Sequence, residues 1–356
     1  MLVPSLPILL LSLPLLSLPV HGSSLLQGGD LQSFDGETDG LVASPVWNPN
    51  LRPDARGFLG TPFGPVLDLG HVRFSIDHKR TQLGDLRDGT STVSTEEALA
   101  GDYERVPTGG WTGATHLRSE FGLSENATIR LDIPFETRRI AYQFDDGSTQ
   151  RFTAQGLADI RFQGSVELSF RDQERAELTL GMRVPTGSTR ERESDVPGTV
   201  PNPRLPYFQQ LGGGTYALEP ALYWTHWGSE WSLGSGVQAS LPMGTNDQGW
   251  SLGDAYGFQA WAARRMDAFR AVVVGIEYQS QGKIDGADGE LDPLFDPSQD
   301  GDHVGGQVLS VNAGLHMVVE AGNHLAVEIG VPAWQDLNGP QTGEDFHFRV
   351  GWWLSF

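Results

Sequence analysis

The sequence predicts an all-β fold: a transmembrane antiparallel up-and-down β-barrel of about twelve strands. Three observations carry this. Apolar and polar residues alternate with period two along most of the chain, which places each set on one face of a strand. The connections between these segments alternate between long and short. The chain is also polar overall, with 38% apolar residues and a mean hydropathy of −0.27, yet it carries 10 Trp and 17 Phe.

Composition narrows the function classes. The 356 residues hold 24 Lys+Arg against 45 Asp+Glu, a net charge of −21. That field repels a polyanion, so no nucleic-acid partner is expected. With no cysteine, disulfide frameworks, thiolate metal sites and cysteine nucleophiles are excluded.

Residues 1–22 carry no Asp, Glu, Lys or Arg, and Leu2 to Val20 is rich in Leu and Pro. This reads as a secretory signal peptide, since Pro4, Pro7, Pro14 and Pro19 would break a membrane helix. Residues 23–65, with Asp35-Gly36, Asp39-Gly40 and Asn48-Pro49-Asn50, read as an irregular leader. The barrel is expected over 66–356.

Its strands are expected, in order, at 66–78, 113–123, 127–137, 157–170, 177–185, 214–225, 230–242, 254–264, 269–280, 304–318, 324–333 and 346–356. In the third, Ala127, Ile129, Leu131, Ile133 and Phe135 alternate with Thr128, Arg130, Asp132, Pro134 and Glu136. In the fourth, Phe162, Val166, Leu168 and Phe170 alternate with Arg161, Gln163, Ser165, Glu167 and Ser169. The ninth contains the longest apolar run after the leader, Ala271 to Ile276, far too short for a membrane helix. Connections such as 124–126, 226–229 and 319–323 are tight, whereas 79–112, 186–213 and 281–303 are long. Outer-membrane barrels sort their loops in this way, with short periplasmic turns and long extracellular loops. Outward aromatics gather near strand ends: Phe135, Tyr256, Tyr278 and Phe346 at one rim, and Phe121, Phe170, Trp224, Trp231 and Phe356 at the other. Arginine at the outward positions Leu131 and Val166 should be costly, and at the inward positions Thr128 and Ser165 much less so.

The final segment, Phe346 to Phe356, alternates and ends in an aromatic residue. It is similar to the signal by which outer-membrane barrels are recognised for insertion, with Trp352, Leu354 and Phe356 in its apolar register. Gly156-Leu157-Ala158-Asp159-Ile160, Arg183-Val184-Pro185-Thr186-Gly187-Ser188 and Val350 to Phe356 resemble hallmarks of the outer-membrane barrel family named after the meta-pathway of phenol degradation. The resemblance covers roughly 157–356. It implies a transporter, often of hydrophobic compounds.

The lumen-lining candidates are Arg130, Asp132, Asp159, Arg161, Glu167, Glu177, Arg183, Glu219, Glu277, Glu328 and Arg349. Glu167, Glu177, Glu219, Glu277 and Glu328 give this set an acidic excess, which in a water-filled path favours cations. The other reading is a closed lumen with charges paired across strands. His116 and His316 are also expected inside, but no third ligand is in register, so no metal site is assigned. Gly249-Trp250-Ser251-Leu252-Gly253 matches the Gly-x-Ser-x-Gly nucleophile elbow but lies in a loop with no helix following, so no catalytic residue is assigned. The acidic loop at 281–303 (Asp285, Asp288, Glu290, Asp292, Asp296, Asp300, Asp302) reads as solvated surface charge. Ser94-Thr95-Glu96-Glu97 reads as a capping box before one helical turn.

The expectation is an outer-membrane channel or transporter for a small solute in a Gram-negative-type bacterium, without enzyme activity or cofactor. Its partners would be outer-membrane lipid, the barrel-insertion machinery and an unidentified solute. Alternatives are a structural or surface-binding barrel with a closed, salt-bridged lumen, and a barrel-embedded lipid hydrolase.

Overall fold

The computed structural model describes residues 52–60, 66–101, 103–171, 173–193, 203–320 and 322–356. The expected signal peptide and most of the expected leader lie outside these residues.

Among the described residues, eleven strands form one closed antiparallel ring: β1 Val72–Gly89, β2 Arg105–Ser124, β3 Ala127–Phe144, β4 Ile160–Arg171, β5 Glu174–Val184, β6 Tyr216–Trp227, β7 Trp231–Met243, β8 Ala255–Arg265, β9 Arg270–Gln281, β10 Gly306–Glu320 and β11 Asn323–Ser355. Each strand pairs with the next in sequence. The last element closes the ring: its first part pairs with β10 (Val331 opposite Val311) and its last part with β1 (Trp352 opposite Ile76). Two short strands lie off the ring, Ser91–Thr92 beside β1 and Thr149–Leu157 beside the end of β3. Trp250–Ser251 and Asp285–Gly286 pair separately in the loops.

The expected segments match these strands closely from β4 to β10, and two expectations are corrected. The first strand runs 72–89, not 66–78; Leu67 is buried, its N–H donating to Thr128 Oγ1 at 2.9 Å, and His71 N–H turns back onto Asp68 O at 3.0 Å. Much of the expected long loops is also strand, because β1, β2, β3 and β11 continue past the apolar belt. There charged and polar residues enter β1 (Arg80, Gln82, Asp85, Arg87), so ladder pairing persists while the alternation that reveals it is interrupted.

The period-two register sets the two faces. Ile129, Phe162, Val166, Leu178, Leu180, Val274 and Ile329 are exposed on the outside, while Thr128, Arg130, Asp132, Ser165, Glu177 and Thr179 are buried inside. The inside is packed: Ser165 Oγ lies 2.7 Å from Thr179 Oγ1. Thr128 and Ser165 are therefore not the permissive positions expected for arginine. Phe121, Phe135, Trp224, Trp231, Tyr256, Phe346 and Phe356 are exposed, and Tyr278 is half-buried. The Phe170 side chain lies outside what is described.

Residues 52–60, expected to be part of an irregular leader, run inside the ring at its short-turn end. Asp54 is fully buried and accepts from Arg52 (2.6 and 3.0 Å) and Ser232 Oγ (2.6 Å). Trp227 Nε1 donates to Ala55 O at 3.2 Å, and Leu59 N–H donates to Glu328 Oε1 at 2.8 Å. Phe58 packs with Trp261, Ala263 and Val273. The Trp261 ring fits only because its neighbours lack side chains: a Cβ on either Gly57 or Gly234 would come within 2.4 Å of it.

Candidate functional site

Above this internal segment the ring encloses a cavity of about 580 Å3. β2 to β6 contribute His116, Arg118, Arg130, Asp132, Arg161, Gln163, Arg183, Glu219 and Tyr223; the facing wall, from β7, β8, β9 and β11, contributes Gln238, Ser240, Gly257, Gln279, Gln281 and Gln341. One wall is charged and rich in arginine; the other is neutral and rich in amides.

Alternation places the charges here, and their pairing lets them be buried, since a buried charge without a partner costs several kcal/mol. Arg118 pairs with Asp77 and lies 3.4 Å from Asp132, and His116 Nδ1 is 2.9 Å from the same Asp132 carboxylate. Arg161 reaches Asp132 at 3.6 Å and Glu219 at 3.4 Å. Arg130 donates to Glu120 and Gln163, both at 3.2 Å, and Arg73 donates to Glu120 at 2.9 Å. A second network crosses the far wall, where Arg349 lies 2.6 Å from Glu277 and 3.8 Å from Glu328, and His316 Nε2 lies 2.9 Å from Glu328.

All eleven lumen candidates lie on the inner side of the ring, but in different places. Arg130, Asp132, Arg161, Arg183 and Glu219 line the cavity. Glu167 pairs with Arg175 at 2.6 Å near the short-turn end, Glu177 is buried beside Ser165 and Thr179, and Glu277, Glu328 and Arg349 form the far network. Only Glu219 of the five expected acidic residues reaches the cavity.

Asp159 stands at the mouth and explains the two Gly-containing motifs around it. Its Oδ1 accepts from Gly187 N–H and its Oδ2 from Gly213 N–H, both at 2.9 Å. Thr186 Oγ1 donates to Ala158 O at 2.8 Å and accepts from Ile160 N–H at 2.9 Å. A Cβ on Gly212 would lie 2.5 Å from Asp159 Oδ1, so only glycine lets the loop pass. The motifs are a clasp that draws the connection after β5 across the start of β4.

The long connections are themselves packed. Tyr207, Trp250, Ile284 and Val304 form one apolar cluster, and Ile140, Tyr142, Phe152, Leu205 and Leu211 another. Arg105 is buried between Glu193 (2.5 Å) and Asp296 (2.7 Å), its guanidinium 4.6 Å from the Tyr142 ring centre and 4.9 Å from that of Phe295. Arg204 pairs with Glu290 and lies 3.7 Å from Asp288. The acidic loop is therefore only partly the solvated surface expected: Asp288 and Asp296 are buried in ion pairs. Ser251 is also buried, in a short strand with no helix after it. Of the expected capping box the Ser94 half is present: Ser94 Oγ accepts from Glu97 N–H at 3.1 Å and caps a short helix, α1, at Thr95–Leu99.

No family model and no curated protein matches the sequence. Among solved structures the chain is similar to the COG4313 outer membrane channel from Pseudomonas putida F1, with a TM-score of 0.57 at 13% identity, covering 82% of this chain and 97% of that one. Weaker likenesses are the β domain of the Bordetella autotransporter BrkA (TM-score 0.40, 8% identity, 81% and 100% covered) and the KdgM porin (TM-score 0.39, 10% identity, 79% and 99% covered). The first likeness is one of fold: an all-β antiparallel barrel of the outer-membrane kind.

Proposed function

We propose that the protein is an outer-membrane channel, porin-like in kind, that admits a small polar solute. The observation that carries this reading is a closed ring, apolar outside, around a polar cavity of about 580 Å3. A lipid bilayer accepts such a ring because every backbone group pairs within it. Antiparallel closure requires an even number of crossings, so the 33-residue β11 counts as two and the total as twelve. The outward Trp352 and Phe356, with half-buried Leu354 in the same register, suit contact with the insertion machinery. The motifs around Asp159 and the fold likeness support kinship with the meta-pathway family. The amide and guanidinium lining, however, favours a polar solute over a hydrophobic one.

A second reading, a closed structural barrel, is favoured by the internal segment and the paired charges. Planar-bilayer conductance of the purified protein separates the two. Discrete steps are expected, and removal of residues 52–60 should enlarge them. A silent bilayer with both proteins would leave the closed barrel.

A further inference from the structure

We infer that the arginine wall of the cavity, centred on Arg161 and Arg183, is a binding site for small polar carboxylates; the inference rests on the channel reading for the route but not for the binding. Arg161 and Arg183 stand directly opposite each other on β4 and β5. Like charges in that position destabilise a sheet, so the pair costs stability that the barrel could recover with a neutral residue at either place. Nearby carboxylates do not fully satisfy it. Both oxygens of Asp159, the acid nearest Arg183, already accept backbone N–H groups, and its approach to Arg183 Nε is only 3.8 Å. Arg183 Nε and Nη2 are buried and have no hydrogen-bond partner among the described residues, on a side chain that lines the cavity.

A guanidinium with spare donors in one plane matches the two oxygens of a carboxylate. Among the described lining residues, four arginines stand beside two acids, Asp132 and Glu219; Arg118 and Arg130 are also paired with Asp77 and Glu120, which leaves Arg183 the least neutralised of the four. A solute beside Arg183 meets local positive charge in a chain whose net charge is −21. The facing amides of Gln238, Gln279 and Gln281 can bond hydroxyl or carbonyl groups on the body of such a solute. The expected cation preference is therefore replaced by a preference for anions.

Reversal potentials in a potassium chloride gradient test the route, and calorimetric titration with sodium succinate and, separately, sodium phosphate tests the site. The wild-type protein should favour chloride over potassium, more so at low salt, and bind succinate more tightly than phosphate. The double variant Arg161→Gln/Arg183→Gln should lose the chloride preference and weaken succinate binding about tenfold or more. Arg183→Lys, which keeps the charge but not the fork, should retain the preference while losing succinate affinity. Heat-modifiable migration on gels checks that each variant is folded. Potassium preference in the wild type, or tighter binding of phosphate, overturns the inference. If no current flows, the channel reading fails; succinate binding that Arg183→Lys weakens then still upholds the site, and its absence removes it.

Discussion

A single carboxylate, Asp159, holds the connection after β5 from two sides, at Gly187 and Gly213. Asp159→Ala would leave the buried Gly213 N–H and the half-buried Gly187 N–H without this acceptor, at a cost on the order of 2 kcal/mol. A lower thermal midpoint, with faster proteolysis in the connection 185–215, is expected; unchanged values would show that the clasp is idle. Such a role was not legible beforehand. The spacing marked Asp159 and Gly187 as a motif, but which backbone groups meet a carboxylate depends on how a long loop folds, and periodicity says nothing of that. Glu193 makes a second residue-scale case. Burial beside Asp296 outweighs the help of Arg105 and raises its carboxyl above the ordinary range near 4.5. A carboxyl raised in the folded chain binds its proton more tightly there than when unfolded. Its contribution is therefore best below the ordinary value and is lost as pH rises through the raised one. Glu193→Gln, a mimic of the protonated form, should flatten this part of the pH dependence of the thermal midpoint. An identical pH profile for wild type and variant would refute the assignment.

At the scale of the strand, register was the most legible property, because one face is apolar and the other charged wherever β3 to β9 cross the belt. Val166 and Leu180 are exposed on the outside, so arginine at either should cost about 2 to 4 kcal/mol in a bilayer if it lies near the midplane. The same substitutions on rim positions should cost less, and folding titrations in lipid vesicles read the difference. Equal penalties at belt and rim would argue against membrane burial of this face. The inside was less legible. Alternation gave the direction of Glu177 and Glu277 but not their partners: Glu177 is buried beside Thr179 on its own strand and Ser165 on the next, and Glu277 is paired with Arg349 two strands away. Residues 52–60 gave no signal at all. Arg52-Pro53-Asp54-Ala55-Arg56-Gly57-Phe58-Leu59-Gly60 has neither helical nor strand periodicity, and apart from the bonds among Arg52, Asp54 and Ala55 its contacts are with the walls around it.

For the whole molecule, those walls include the join between the first strand and the last. Arg56 lies over the Trp353 ring at 5.4 Å, and Leu59 packs where Gly351 leaves room, opposite Asp77 of β1. The segment therefore spans the seam from within, and its bond to Glu328 links residues 269 positions apart. A segment seated on the inner face across that seam needs the ring beneath it, so its contacts are expected to form after the ring has closed. Interactions absent from the folding transition state slow unfolding and leave folding unchanged. Removing residues 52–60 should thus raise the unfolding rate in urea on the order of tenfold while the refolding rate stays the same. Equal effects on both rates would place the segment in the folding nucleus instead. On this account the lifetime of the barrel is set by a rivet at the joint between its first and last strands.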